Sequence, residues 1–149
     1  KAASSSGLSG CTMCNPGKYS TAAAATCSSC TPGKYSDSPG TPNACTSCIG
    51  GKFSASSGQT SCAACGEGKY AHEESDRCFS CAAGFFSGPA AEECQNCVKG
   101  KFSGSEASEC QDCDPGYYSG SDNSPFCTAC PAGSVPSSDK SSCESCSAG

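Results

Sequence analysis

The sequence predicts a small disulfide-rich protein, a linear tandem array of C-x-x-C repeats of about 16–17 residues with a rod-like or solenoid-like form. Three observations predict this fold class. Cysteine accounts for 18 of the 149 residues, a density typical of disulfide scaffolds. The cysteines recur at a nearly constant spacing, which is typical of repeat architectures. Large apolar side chains are scarce, with six Phe, five Tyr, one Met and no Trp, too few for one ordinary hydrophobic core.

The repeating unit is longer than the cysteine pair itself. The nine C-x-x-C pairs begin 16 to 18 residues apart, and a glycine stands three residues after the second cysteine of every pair. An aromatic residue follows two positions later in seven units, and serine usually comes next. Lysine lies between the glycine and the aromatic residue in five units: Lys18, Lys34, Lys52, Lys69 and Lys101. The unit therefore reads C-x-x-G-K-[YF]-S, a variable polar stretch, and then C-x-x-C.

Each part of the unit has a physical interpretation. Glycine at a fixed position indicates a turn with positive φ or a close approach of backbones. Adjacent residues of a strand point to opposite faces, so we expect the aromatic ring to face a disulfide and the lysine to face water. The variable stretch is rich in turn-forming residues. The sequence therefore predicts short β-hairpin-like loops and little or no helix.

The cysteines are predicted to form disulfides. Disulfides at this density are typical of secreted, extracellular or cell-surface proteins. Four-cysteine zinc sites are the main alternative, but each would use two pairs and leave one of the nine pairs over. No pair is distinguished from the others as a redox site would be. We therefore predict no metal, no cofactor and no catalytic residue.

The simplest uniform pairing joins the second cysteine of each pair to the first cysteine of the next. Each loop of about 15 residues then contributes roughly 3 kcal/mol on the chain-entropy model. An interlaced scheme, in which Cys11 pairs with Cys27 and Cys14 with Cys30, is the alternative. The serial scheme predicts Cys14–Cys27, Cys30–Cys45, Cys48–Cys62, Cys65–Cys78, Cys81–Cys94, Cys97–Cys110, Cys113–Cys127 and Cys130–Cys143.

The serial scheme leaves Cys11 and Cys146 without a partner in the chain. We expect the array to continue beyond both ends, with these cysteines bonded to neighbouring segments. Bonds between successive subunits are the alternative. The predicted organisation is a Ser/Gly-rich lead-in or linker over residues 1–10, followed by tandem repeats with eight complete loops over residues 11–149.

The motif resembles two known kinds of cysteine-rich module. The loop from Cys14 to Cys27, with Gly17-Lys18-Tyr19, resembles the loop that opens tumour-necrosis-factor-receptor modules. The full unit, with its C-x-x-C joint, more closely resembles the ephrin-receptor-like cysteine-rich repeat, over residues 11–149. This resemblance implies a receptor ectodomain or a long array in a large surface protein. Loop positions that depart from the pattern are Phe85, Tyr117 and the segment Ser134-Val135-Pro136.

Composition and charge exclude several functions. The net charge is −5 with only nine Lys and Arg, which disfavours nucleic acid as a partner. No apolar run approaches the ~20 residues of a membrane span, and no set of residues converges on an enzymatic mechanism. We expect a structural component of an extracellular or cell-surface filament, stalk or fibre that self-associates. The alternative is a receptor or adhesion ectodomain that binds a protein or glycan ligand.

Serine and threonine are abundant, and they predict O-linked glycans. No N-linked sequon is present, because Asn123-Ser124 precedes Pro125. The candidate sites are the serine after the aromatic position and the Ser-Pro and Thr-Pro pairs. These sites are Ser20, Ser36, Ser54, Ser87, Ser103, Ser119, Thr31, Ser38, Thr41 and Ser124.

Overall fold

The structure is a computed structural model that describes residues 2–3, 11–21 and 26–147. Within these ranges the side chains are described from residue 13 onward. The predicted lead-in over residues 1–10 therefore lies outside the described residues, except for the backbone of residues 2–3. That short segment pairs antiparallel with the backbone of residues 11–12.

Short β-strands make up the regular secondary structure, and the described ranges contain no helix. Isolated hairpins of this size are marginally stable in water, so their closure depends on covalent bonds. The strands are β1 (Ala2–Ala3), β2 (Cys11–Thr12), β3 (Lys18–Ser20), β4 (Ser28–Ser29), β5 (Lys34–Tyr35), β6 (Thr41–Pro42), β7 (Thr46–Ser47), β8 (Lys52–Phe53), β9 (Ala63–Ala64), β10 (Lys69–Tyr70), β11 (Phe79–Ser80), β12 (Phe85–Phe86), β13 (Gln95–Asn96), β14 (Lys101–Phe102), β15 (Gln111–Asp112), β16 (Tyr117–Tyr118), β17 (Thr128–Ala129), β18 (Ser134–Pro136) and β19 (Cys143–Ser145).

Eight disulfide-closed loops follow one another along the chain, and we number them 1 to 8. Each loop begins at the second cysteine of one pair and ends at the first cysteine of the next. The two residues between paired cysteines form the joint that connects successive loops. The loops span residues 14–27, 30–45, 48–62, 65–78, 81–94, 97–110, 113–127 and 130–143.

Each loop forms a hairpin with the joint that follows it. In loop 4, β10 pairs antiparallel with β11, so that Lys69 lies opposite Ser80 and Tyr70 lies opposite Phe79. The same pairing recurs in loop 6, where β14 pairs with β15. The expectation of short β-hairpin-like loops in a small disulfide-rich tandem array is therefore confirmed.

The chain divides into two compact units. The first contains Lys1–Cys65 and Ala71–Cys78, which include loops 1 to 3 and the variable part of loop 4. The second contains Gly66–Tyr70 and Phe79–Gly149, which include the motif of loop 4 and loops 5 to 8.

Within the first unit, backbone hydrogen bonds join successive loops. The Gly17 N–H of loop 1 donates to the carbonyl of Ser36 in loop 2 at 2.8 Å, and the Cys30 N–H donates back to the Gly17 carbonyl at 2.9 Å. The Gly33 N–H of loop 2 likewise donates to the carbonyl of Ser54 in loop 3 at 2.9 Å. Each motif glycine thus uses both of its backbone polar groups to hold the next loop.

The second unit repeats this pattern. The Gly84 N–H donates to the Ser103 carbonyl at 2.8 Å, and the Cys97 N–H donates to the Gly84 carbonyl at 2.9 Å. Every such bond joins a loop to its neighbour in sequence. The same local contacts therefore recur along the chain, as they do in repeat proteins in general.

Among the described residues, the fully buried core consists of cysteine and serine, together with Ala71. The cysteines that open loops 1 to 7 are only 0–2% exposed. The serine six residues after them is 2–3% exposed in six loops, and Ala71 takes that place in loop 4 at 0%. The aromatic residues and the motif lysines of loops 2 to 6 are all half-buried.

Candidate functional site

Cysteine in this chain forms structural disulfide bonds. The eight bonds join Cys14 to Cys27, Cys30 to Cys45, Cys48 to Cys62, Cys65 to Cys78, Cys81 to Cys94, Cys97 to Cys110, Cys113 to Cys127 and Cys130 to Cys143. These are the pairs of the serial scheme, and the interlaced alternative does not occur. The Cα–Cα separations are 5.6 to 5.8 Å, inside the usual disulfide range of about 4.4–6.8 Å.

The two remaining cysteines were predicted to have no partner in the chain. The thiol of Cys146 is free and exposed. Its N–H donates to the Gly133 carbonyl at 2.9 Å, as the N–H of each loop-opening cysteine from loop 2 onward does to the preceding motif glycine. Cys146 therefore has the backbone position of a residue that opens a loop. The side chain of Cys11 lies outside the described residues.

Six of the predicted glycosylation sites are buried in the folded chain. They are the serines that follow the aromatic position: Ser20, Ser36, Ser54, Ser87, Ser103 and Ser119. All are 2–3% exposed, so a glycosyltransferase cannot reach them without unfolding the loop. Three of these hydroxyls donate to a carbonyl in the preceding loop: Ser54 to Lys34 at 3.2 Å, Ser87 to Lys69 at 3.0 Å and Ser103 to Phe85 at 2.9 Å. All six serines are therefore core residues, and the hydroxyls of Ser54, Ser87 and Ser103 also bond the preceding loop.

The four predicted sites before proline remain accessible to different degrees. Thr31 and Ser38 are exposed, whereas Thr41 and Ser124 are half-buried. Thr41 Oγ1 donates to the Ser38 carbonyl at 3.0 Å, and Ser124 Oγ donates to the Ser121 carbonyl at 2.8 Å. Exposure therefore favours Thr31 and Ser38, and glycosylation at all four stays a prediction.

Two motif lysines form ion pairs with a glutamate two loops further along the chain. In the first unit, Lys34 Nζ of loop 2 lies 3.1 Å from Glu74 Oε1 of loop 4. The Ser47 hydroxyl, in the joint after loop 2, donates to the same oxygen at 2.5 Å. The hydrogen bond from Ser47, followed by the interactions with Lys34, lowers the pKa of Glu74 below its usual 4.5.

The second unit has an equivalent arrangement. Lys69 Nζ of loop 4 lies 3.8 Å from Glu106 Oε1 of loop 6, and the Ser80 hydroxyl donates to that oxygen at 2.5 Å. Glu74 and Glu106 share positive φ angles of 59° and 57°. Sequence reasoning missed both glutamates as lysine partners. The sequence feature that could have indicated them is their shared position, since each glutamate stands nine residues after the cysteine that opens its loop.

The lysines therefore do not form a uniform ladder of free positive charges. Lys101 Nζ lies 2.7 Å from Asp112 Oδ1. The hydrogen bond from Lys101, followed by its positive charge, lowers the pKa of Asp112. Lys18 and Lys52 form no ion pair within the described part of the chain. Three motif lysines are thus neutralised locally and two are available to a partner.

A surface groove recurs where one loop meets the next. It is lined by the aromatic residue of the first loop and by the motif lysine and closing cysteine of the second. In the first unit, a groove of about 240 Å³ is lined by Tyr35, Ile49 and Lys52, together with hydroxyl side chains. We call it the basic groove, because Lys52 is its only charged residue.

The corresponding groove of loops 5 and 6 is larger and has the opposite charge. Its volume is about 560 Å³, and its lining includes Phe86, Val98, Glu93, Glu109 and Lys101. We call it the acidic groove. Its volume is in the range of pockets that hold ligands, roughly 300–1,000 Å³.

The acidic side chains do not gather into a metal site. The described ranges contain no group of three or more His, Cys, Asp or Glu side chains that could hold a metal ion. The carboxylates with lowered pKa values are exposed, and the lowering comes chiefly from hydrogen bonds to other side chains. For example, the hydrogen bond from Arg77 lowers the pKa of Asp76.

The disulfide-closed loops and their repeated joints define a tandem cysteine-rich repeat protein of the extracellular type. Comparisons with protein-family models and with curated proteins gave no match to the chain. Among the described residues, no helix has the length and apolar character needed to cross a membrane.

Proposed function

We propose that the chain is a structural component of an extracellular or cell-surface filament, stalk or fibre. The observation that carries this proposal is a hydrogen bond between successive loops that recurs at the motif glycines of loops 1 to 6. The motif glycine N–H of one loop donates to the residue six positions into the next loop, from Gly17 to Ser36 in the first unit and from Gly100 to Ser119 in the second. Such repeated local bonding, with a covalent closure in every loop, suits a part that bears load and resists proteases.

The repeats are of the ephrin-receptor-like type in this proposal. Serial one-disulfide loops separated by two-residue joints support that assignment. O-linked sugars on exposed sites such as Thr31 and Ser38 would further protect the surface. We propose no enzymatic role, because the carboxylates with lowered pKa values are exposed and already hydrogen-bonded to other side chains of the chain, as Glu74 is to Ser47 and Asp139 is to Ser137.

Assembly of the secreted chain tests the proposal directly. The chain would be produced in a eukaryotic secretory host, and its eight disulfides checked by mass before and after reduction. Negative-stain electron microscopy and analytical ultracentrifugation over a wide concentration range should show elongated assemblies that grow with concentration. Reduced and alkylated chain is the matched control and should not assemble. A chain that stays monomeric throughout would contradict the structural role.

A receptor or adhesion ectodomain is the second candidate. The observation that favours it is the acidic groove, whose volume of about 560 Å³ exceeds that of the basic groove. A binding module should bind one extracellular ligand saturably, and substitution of Phe86 should abolish that binding. Filament assembly should instead be independent of any second component.

A further inference from the structure

Charge is distributed unevenly along this chain. Residues 1–66 contain four lysines and one aspartate, for a net charge of +3. Residues 67–149 contain five Lys and Arg and thirteen Asp and Glu, for a net charge of −8. The total of −5 therefore conceals two segments of opposite sign, which two copies of the chain can bring together.

The basic groove combines an exposed apolar residue with an unpaired cation. Ile49 is 64% exposed, and it lines the same groove as Tyr35 and Lys52. Lys52 has no ion-pair partner within the described ranges. The aliphatic stem of a lysine can lie along an apolar surface while its ammonium group seeks an acidic partner.

The acidic groove has the complementary features. Val98 is 55% exposed and lines the same groove as Phe86, whose ring face can attract a cation. Glu93 and Glu109 line this groove and form no ion pair within the described part of the chain. The one cation in the lining, Lys101, is already paired with Asp112 at 2.7 Å.

The two grooves occupy equivalent positions in the repeat. Ile49 and Val98 each follow the cysteine that opens their loop, and Lys52 and Lys101 are the motif lysines of those loops. The two surfaces are therefore built on the same backbone pattern but differ in charge. A contact between two basic grooves or two acidic grooves would oppose like charges, whereas a basic groove against an acidic groove pairs opposite ones.

We propose that the basic groove of one copy of this chain docks onto the acidic groove of a second copy. Lys52 then lies against Phe86 and between Glu93 and Glu109, and Ile49 packs on Val98. A contact between two different surfaces is heterologous, so each copy keeps one groove of each kind for further partners, and assembly is open-ended when the rotation between copies does not close a ring. This inference rests on the proposed filament function and identifies the surfaces that would build it.

Charge reversal tests the docking. Association would be measured by analytical ultracentrifugation, with the free thiols alkylated so that disulfide exchange contributes nothing. Wild-type chain should associate at about 0.1 M salt and much less at about 1 M, because the Debye length falls from about 10 Å to about 3 Å. K52E and the double variant E93K/E109K should each weaken association roughly tenfold or more. Mixing the two variants should restore assembly, because every contact then joins opposite charges.

Matched controls reverse charges outside the grooves. K18E changes an exposed lysine of the same unit, and E67K/E144K changes two exposed glutamates. Both should associate like wild type. A disulfide count by mass confirms that every variant folds.

Each failure has a distinct meaning. Wild-type chain that never assembles overturns the filament function itself. Assembly that survives K52E and E93K/E109K overturns this docking and leaves the filament function standing. Binding of poly-lysine to the acidic groove without any self-association would show that the occupant is a basic partner, and it would overturn the inference as well.

Discussion

The carbonyl oxygen of Asn123 lies 2.1 Å from the position that a β-carbon on Gly84 would occupy. Gly84 belongs to loop 5 and Asn123 to loop 7, so the contact joins loops two apart in the array. In the first unit, the Glu74 carbonyl of loop 4 lies equally close to Gly33 of loop 2, at 2.1 Å. Gly116 in loop 7 has a similar φ but open space around it. The motif glycine thus serves both a turn and a close approach between loops.

A comparison of the substitutions G84A and G116A separates the role in the turn from the role in the contact between loops. Gly84 and Gly116 have φ angles of +87° and +86°, so alanine should cost both sites about 1–2 kcal/mol for the left-handed conformation. G84A should cost roughly 1–3 kcal/mol more, because the new β-carbon displaces the Asn123 backbone. Hydrogen exchange of the Asn123 amide, which donates to the Cys97 carbonyl at 2.7 Å, measures the difference. Equal exchange rates in G84A and G116A would show that the contact contributes nothing.

Removal of a buried serine hydroxyl should weaken the contact between loops 5 and 6. Ser103 Oγ donates to the Phe85 carbonyl at 2.9 Å. S103A should therefore cost about 0.5–1.5 kcal/mol locally, the usual net value of such a bond. The readout is hydrogen exchange at Gly84, whose N–H donates to the Ser103 carbonyl. S105A, at an exposed position in the same loop, is the control and should exchange like wild type.

The carboxyl group of Glu74 should titrate below its usual value of 4.5. Its pKa is lowered first by the hydrogen bond from Ser47 and then by Lys34. Because the folded-state pKa is the lower one, the stabilisation is present above pH 4.5 and is lost as the pH falls through the folded-state pKa. NMR titration should show the lowered midpoint in wild type and a rise towards 4.5 in S47A. S57A, at an exposed site, is the control and should leave the Glu74 midpoint unchanged. An equally unchanged Glu74 midpoint in S47A would contradict the role of the Ser47 hydrogen bond.

The turn at residues 137–142 should lose stability only in strong acid. Hydrogen bonds from the Ser137 hydroxyl and from the N–H and hydroxyl of Ser141 lower the pKa of Asp139 to about 2, from a usual 3.8. The contribution of this carboxylate to stability is therefore complete above pH 3.8 and disappears as the pH falls towards 2. In the wild-type chain, hydrogen exchange within the turn should follow that titration. In D139N, the exchange rate, corrected for intrinsic exchange, should not depend on pH in this range. A midpoint near 3.8 in the wild-type chain would refute the role of Ser137.

Glycopeptide mapping of the secreted chain tests whether O-linked sugars are carried by the exposed candidate sites and not by the buried serines. Sugar mass should be found on peptides that contain Thr31 and Ser38, which are exposed. No sugar should be found on Ser87 or Ser103, each 2% exposed. T31A should remove sugar from its peptide. Modification of Ser103 in folded chain would mean that its loop opens during secretion.

The sequence alone determined the covalent framework. Nine equivalent cysteine pairs with similar spacers favour one uniform scheme, and the bonds from Cys14–Cys27 to Cys130–Cys143 follow it. The hairpins and the turn at each motif glycine were also predictable, because both depend on residues close together in the chain. Their physical basis is local conformational preference combined with a short closed loop.

Only the tertiary structure decided which side chains are buried and which residues meet across loops. Ser103 and its counterparts were predicted to carry sugars but lie in the core, while the aromatic residues are only half-buried. Lys34 finds its partner Glu74 forty residues away, through a contact between loops two apart. The reason is that a loop of this size cannot bury its own side chains. Their environment is set by the backbone of neighbouring loops, and the period of a sequence does not report that packing.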